Sequence, residues 1–286
     1  MENIVKIITN GEYFSVKDTL ECGQVFRFVA HKKGYKIHSL NKCAYCYNEG
    51  ENAVIECLES DREYFVNYFD LARDYKAIFD DAVAENVDIL TDSAKVGKGI
   101  RILNQDRVET LFSFIISQNN NIPRIKSIIE KICTTLGEKR AFNGEEFFSF
   151  PSVDQMAKQS TEFYQGLGLG YRAEYVRRLA VDIVAGFNIN KMESLPTTQL
   201  KKSLVGIYGV GPKVADCVSL FGFHRADSFP VDTWIEKVYL QDFNGTLKDR
   251  TKIADYFVKR FKGNPGYYQQ YLFYYARLKE KSTLIK

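Results

Sequence analysis

Apolar residues follow two regimes along the chain. Up to residue 58 they come in short runs, 5–9, 24–30, 34–40, 43–47 and 53–58, broken by Lys32-Lys33-Gly34, Asn41 and Glu49-Gly50-Glu51-Asn52. Short runs separated by turn residues about every 8–12 positions predict an antiparallel sheet. From Asp61 the period changes. Tyr64, Phe65, Tyr68 and Phe69 recur at helical spacing, and helical patterns then continue nearly to the end. Residues 108–118 predict an apolar helix stopped by the polar run Gln118-Asn119-Asn120-Asn121. Residues 122–136 and 171–187 predict amphipathic helices, the second with basic residues interleaved. Residues 266–281 predict a helix dense in aromatics, most of which fit core packing. The fold class is therefore α+β. An N-terminal antiparallel sheet domain with flanking helices (1–92) is expected before a mainly helical part in two lobes (93–286), divided at the hydrophilic stretch 92–98.

Composition adds little to that picture, but charge changes it. With 286 residues, 45% apolar and 26% charged, the chain is globular rather than fibrous or disordered. No apolar run reaches the roughly 18 residues needed to span a bilayer, so no membrane partner is expected. The first residues carry no secretory pattern and no basic targeting tail, which predicts a cytoplasmic, prokaryotic protein. Net charge is +3, yet residues 1–92 hold 10 Lys+Arg against 17 Asp+Glu, for −7, and the remainder holds 29 against 19, for +10. An acidic first third joined to a basic remainder points the second part at a polyanion.

Six cysteines are too few for a disulfide scaffold. Cys43 and Cys46 form a Cys-x-x-Cys on a predicted strand, where they face opposite sides, so zinc is not expected there. The informative segment is 197–217. Its pattern, Leu204-x-x-Ile207-x-Gly209-Val210-Gly211-x-Lys213-x-Ala215, predicts helix, tight turn, helix. Thr197 or Thr198 is placed to cap the first helix. Gly206, Gly209 and Gly211 supply a permissive hairpin backbone, and Pro212 suits the first position of the second helix. Backbone N–H groups at such a glycine turn and helix N-terminus attract phosphate. Downstream stands Phe229-Pro230-Val231-Asp232-Thr233.

Together these two segments resemble the helix-hairpin-helix DNA glycosylase superfamily whose signature carries a Gly/Pro-rich loop and an aspartate. The resemblance implies that Lys213 is the catalytic lysine and Asp232 the catalytic aspartate. A neutral lysine can attack C1′ of deoxyribose and form a Schiff base, and a carboxylate can stabilise the cationic sugar as the base leaves. Asp232 also stands where a helix N-cap is expected. Further segments resemble 8-oxoguanine DNA glycosylase/lyase across nearly the whole chain: Cys22-Gly23-Gln24-Val25-Phe26-Arg27, residues 111–125, residues 168–175, and the last helix with Gln269 and Phe273. One departure is Trp234, where many members have histidine.

8-Oxoguanine differs from guanine in bearing an oxygen on C8 and a hydrogen on N7. The resemblance implies that the backbone carbonyl of Gly23 accepts from that N7–H and repels the lone pair of normal guanine. One hydrogen bond gained against one unsatisfied polar pair separates the two bases by a few kcal/mol. Gln269 and Phe273, four apart, share a helix face and are implied to read and stack on the flipped base, with Cys217, four residues after Lys213, against its other side. Asn119 and Tyr171 are implied to fill the gap in the duplex, and Arg124 and Arg172 to read the opposing cytosine. Gly209 and Gly211 are implied phosphate contacts. The expected partner is double-stranded DNA containing 8-oxoguanine, bound by a monomer. No cofactor or metal is expected in the chemistry, although hairpin carbonyls are suited to hold a structural cation. Two rivals follow from the same residues. An alkylpurine glycosylase of the same fold is disfavoured by Lys213, and a non-catalytic helix-hairpin-helix module is disfavoured by Asp232 and the pocket residues.

Overall fold

The computed structural model describes residues 3–284. Strands β1 (Ile4–Asn10), β2 (Phe28–His31), β3 (Gly34–Ser39), β4 (Lys42–Glu49) and β5 (Asn52–Leu58) form an antiparallel sheet in the order β1-β5-β4-β3-β2. The register sets Ile7 opposite Ile55 and aligns Ile37, Ala44 and Cys57 across three strands. These side chains share one face and bury against Phe14, Phe65 and Phe69. The other face would be wet in a simple two-layer arrangement. Here β6 (Lys139–Phe142) and β7 (Glu145–Phe148), a hairpin that the residue pattern does not signal, cover it with Phe142 and Phe147 against Cys43, Tyr45, Tyr47 and Val54. Cys43 and Cys46 therefore belong to cores on opposite faces, as the strand parity predicts.

The first region holds one element the sequence pattern leaves unread and one shorter than expected. Residues 16–21 are a helix, α1 (Val16–Glu21), whose N-terminus is capped by Ser15 Oγ accepting from Asp18 N at 3.2 Å. The expected strand over 24–30 shortens to β2, because the fully buried Gln24 side chain holds the preceding residues in a loop. Its Nε2 donates to Thr19 O and Arg101 O, and its Oε1 accepts from Leu103 N. Periodicity cannot register a polar side chain whose partners lie about 80 residues away.

The helical body comprises α2 (Arg62–Tyr68), α3 (Tyr75–Ala84), α4 (Asp88–Val96), α5 (Arg107–Ser117), α6 (Ile122–Leu136), α7 (Val153–Ala157), α8 (Thr161–Gly166), α9 (Arg172–Val184), α10 (Thr197–Val205), α11 (Pro212–Phe221), α12 (Thr233–Asp242), α13 (Arg250–Arg260) and α14 (Pro265–Leu284). The hydrophilic stretch 92–98 falls mostly within α4, which packs on α14 through buried Leu90 and Ala94. Its polar residues are one face of an amphipathic helix rather than a linker. Helix α5 is buried all round from Glu109 to Ile116. Asp106 starts it by accepting from Val108 N and Glu109 N. Arg27 of the sheet region pairs with Glu109 at 3.1 Å and donates to Phe148 O, while Glu109 Oε2 accepts from Leu40 N. Burial pushes the Glu109 carboxyl up and Arg27 opposes it. A buried pair satisfied on this many sides pins the sheet to the central helix, and losing one partner would strand the other.

Candidate active site

Helices α10 and α11 form the predicted hairpin. The first is not capped by a threonine side chain. Pro196 occupies the N-cap position, and Thr197 Oγ1 instead donates to Asp227 across 2.8 Å. Gly209 has φ +85, and a Cβ there would lie 2.3 Å from the ring of Tyr175, so both conformation and packing require glycine. Gly211, the N-cap of α11, has φ −90 and open space around its Cα. Nothing within the chain demands glycine at that position, which leaves room for a ligand at the helix N-terminus. Pro212 is the first helical residue and Lys213 the second.

Lys213, Cys217, Asp232, Gln269, Phe273 and Gly23 line one pocket. All six residues assigned to catalysis and the base pocket thus converge, from the α1–β2 loop, α11, the start of α12 and α14. Lys213 Nζ lies 5.6 Å from the centroid of the Phe114 ring, and Cys217 stands one turn further along α11. Burial pushes the Cys217 thiol up to about 11, and Lys213 opposes that shift. Asp232 is the N-cap of α12, its Oδ1 accepting from Trp234 N at 2.9 Å and Ile235 N at 3.0 Å. Burial raises its carboxyl; those two N–H groups and the charge of Lys213 hold the rise down. The aspartate is therefore a cap and a carboxylate beside the lysine at once.

Gln269 is 4% exposed, its Nε2 donates to Pro230 O at 3.1 Å, and its Oε1 has no partner among the described residues. An orphan buried acceptor is costly unless something fills it, and a base with N–H donors on its pairing edge would do so. The pocket volume is only about 40 Å³, enough for a few waters but not a purine. Gly23, at φ +86, explains the closure: a Cβ there would sit 3.2 Å from Phe273 Cε1. The Phe273 ring packs against Gly23 across the slot.

A second cluster forms at the exposed ends of α5, α6 and α9. Asn119 is left-handed at φ +46 and donates through Nδ2 to the Tyr171 hydroxyl at 3.1 Å. Arg124 is exposed and donates to Gly168 O. Arg172 differs from a surface cation. It is buried, with Nε 2.6 Å from Gln118 O and Nη2 donating to Asn119 O, so its donors are occupied in the free protein. Gln118 Nε2 also bonds Gly209 O at 2.9 Å, tying this rim to the hairpin. Helix α5 and the turn that follows it link both regions, Phe114 in the slot and Gln118-Asn119 at the rim.

Several residues of these two regions were not legible in the sequence. Phe114, Phe221, Pro230 and Gln270 also line the slot. Tyr208, 57% exposed at the hairpin tip, packs edge-on against Tyr175, which packs on Tyr171. An isolated tyrosine before Gly209 carries no periodic signal; only its exposure marks it.

Two family models match successive parts of the chain and meet within α5. Residues 6–111 match the model described as 8-oxoguanine DNA glycosylase, N-terminal domain. Residues 112–262 match HhH-GPD superfamily base excision DNA repair protein. The chain belongs to this superfamily. Among its glycosylase/lyase members, the N-glycosylase/DNA lyase of Saccharomyces cerevisiae is 32% identical over 83% of this chain and 70% of that protein. A probable N-glycosylase/DNA lyase of Methanothermobacter thermautotrophicus is 32% identical over 76% and 75%. The Clostridium acetobutylicum 8-oxoguanine glycosylase/lyase, solved with DNA containing cytosine opposite 8-oxoguanine, superposes with a TM-score of 0.91 at 35% identity over 98% of each chain. The glycosylase fold also extends to an Archaeoglobus fulgidus 3-methyladenine DNA-glycosylase, at TM-score 0.77 but only 17% identity.

Proposed function

We propose that this protein excises 8-oxoguanine from duplex DNA, preferring cytosine opposite the lesion, and then cleaves the abasic strand. The observation that carries the reading is the single pocket holding Lys213, Asp232, the orphan acceptor of Gln269 and the stacking ring of Phe273. In this reading the flipped base displaces the Phe273 ring from its resting place and stacks on it. Gln269 Oε1 accepts from the base's pairing edge, and Gly23 O accepts from N7–H. The C1′–N9 pair departs with the base, and the Lys213 Nζ lone pair then forms a bond to C1′, a proton passing from Nζ to the departed base. The Asp232 carboxylate stabilises the positive charge on the sugar between those two events. Opening of the sugar ring gives an iminium between Nζ and C1′. Loss of a C2′ proton then expels the 3′ phosphate by β-elimination. The proposed working unit is a monomer.

At the rim, Tyr171 and Asn119 enter the gap, and the glycine turn before α11 takes a backbone phosphate. Arg124 donates to the O2 and N3 acceptors of cytosine; adenine offers only N1, beside an amino donor. For Arg172 to join it, cytosine would have to win the guanidinium from Gln118 O and Asn119 O. The test is single-turnover excision from four duplexes differing only in the opposing base. Cytosine is expected to be fastest, and Arg124→Met to slow that duplex most, each good contact being worth roughly 1–3 kcal/mol. Equal slowing of all four would make Arg124 a phosphate or structural contact.

A further inference from the structure

We propose that Gln270, Tyr274 and Arg277 of α14 form a clasp that fixes the width of the lesion slot and thereby determines how sharply 8-oxoguanine is told from guanine. The inference rests on reading Gly23 O as the acceptor for N7–H. Positions 270, 274 and 277 fall on one helix face, beside the face that presents Gln269 and Phe273. Each of the three reaches α1 or the residue just after it. Gln270 Nε2 donates to Cys22 O at 2.7 Å, the Tyr274 hydroxyl to Asp18 Oδ1 at 2.6 Å, and Arg277 Nη1 to Glu21 O at 3.3 Å. Helix α1 has no basic residue in its last turn. Its C-terminal carbonyls need donors and favour a cation, and α14 supplies both.

The next residue is Gly23. The last fixed carbonyls before the reading carbonyl are thus held by the helix that carries the opposite wall of the slot. Arg277 bridges the two walls directly. It bonds Glu21 O on the Gly23 side, and its guanidinium carbon stands 5.3 Å from the centroid of the Phe273 ring. From behind, Gln24 anchors the loop to Arg101 O and Leu103 N. A hydrogen bond has a narrow useful distance range. Lesion and normal base differ at N7 by a proton against a lone pair. A wall able to retreat by a few tenths of an ångström would lose the attraction for one and the repulsion for the other together. None of the three clasp residues is needed for attack at C1′, so their effect is on selection of the base rather than on the bond-breaking step.

The test measures affinity for duplexes carrying 8-oxoguanine or guanine opposite cytosine, in protein bearing Lys213→Gln so that nothing is consumed. Gln270→Leu and Arg277→Met are each expected to reduce the lesion-to-guanine ratio on the order of tenfold, and Tyr274→Phe less. Arg277→Lys, which keeps a donor and a cation, is expected to recover part of the ratio. In protein retaining Lys213, Tyr274→Phe and Arg277→Met are expected to leave cleavage of a preformed abasic site little changed, because no base has to be placed. An unchanged ratio in variants that still melt cooperatively overturns the proposal. So does abasic-site cleavage falling as far as excision, since the contact would then be structural. If Lys213→Gln alone shows no preference for the lesion, the reading of Gly23 fails first and the clasp with it.

Discussion

The slot and the rim are built from different materials. Residues of the slot are mostly buried, and most of their polar atoms are committed: Gln269 Nε2 to Pro230 O, Gln270 to Cys22 O, Asp232 to two N–H groups of its own helix, with Gln269 Oε1 left open. Rim residues are mostly exposed, Tyr171 at 49% and Tyr208 at 57%, with Asn119 and Arg124 beside them. Telling two bases apart by one hydrogen needs donors and acceptors fixed before the base arrives. Filling a gap in a duplex needs bulk and a few adaptable polar groups. Arg172 sits between the two, a buried cation whose bonds to Gln118 O and Asn119 O stiffen the turn that presents the rim.

If that division holds, changes in the slot should act on chemistry or base selection, and changes at the rim on engagement of the duplex. The largest effect is expected for Lys213→Gln, which should bind damaged duplex yet form no borohydride-trapped adduct. A trapped adduct at the wild-type level would remove Lys213 from the chemistry. Next is Asp232→Asn. Asparagine caps a helix about as well as aspartate, so the fold should survive while excision slows by about 10²–10³. A collapse in melting temperature with normal activity per folded molecule would reduce Asp232 to its capping role. Gly23→Ala should follow, because it adds a Cβ 3.2 Å from Phe273 Cε1 at a left-handed position. Excision of 8-oxoguanine should fall steeply, and cleavage of a preformed abasic site much less. Equal losses in both assays would break the contrast between slot and rim.

Tyr171→Ala should cost less, roughly 1–3 kcal/mol of stacking, and should weaken binding of intact and abasic duplexes alike. An effect confined to lesion-bearing DNA would place Tyr171 with the slot. The smallest effect concerns Asp216 on α11, one turn behind Lys213. Burial pushes its carboxyl up to about 6 although Lys201 Nζ stands 2.6 Å away. Between about pH 4 and 6 the folded protein holds a proton there that the unfolded chain has released, so stability from this group falls as pH rises through that window. Asp216→Asn should flatten that slope. Thermal melts at pH 5, 6 and 7 would show it, and a steeper slope in the variant would mean that the ion pair with Lys201 outweighs burial.

Where a property is carried by neighbouring residues, the sequence alone determined it. The change from period two to helical period near residue 61, the glycine hairpin with Pro212 and Lys213 behind it, and the Asp232 cap all rest on contacts within a few positions of each other. So does the shared face of Gln269 and Phe273, because a helix fixes which residues align. Tertiary structure decided what depends on partners far along the chain. Gln24 turns an expected strand into a loop because Arg101 and Leu103 receive its side chain. The polar residues of 92–98 are read as a boundary until α14 is seen packed on the apolar face of α4. Arg172 resembles any helix-surface arginine until two carbonyls from the turn after α5 surround it. The clasp on α14 is likewise silent in sequence, because a buried hydrogen bond is specified by where two distant segments meet and leaves no period in either.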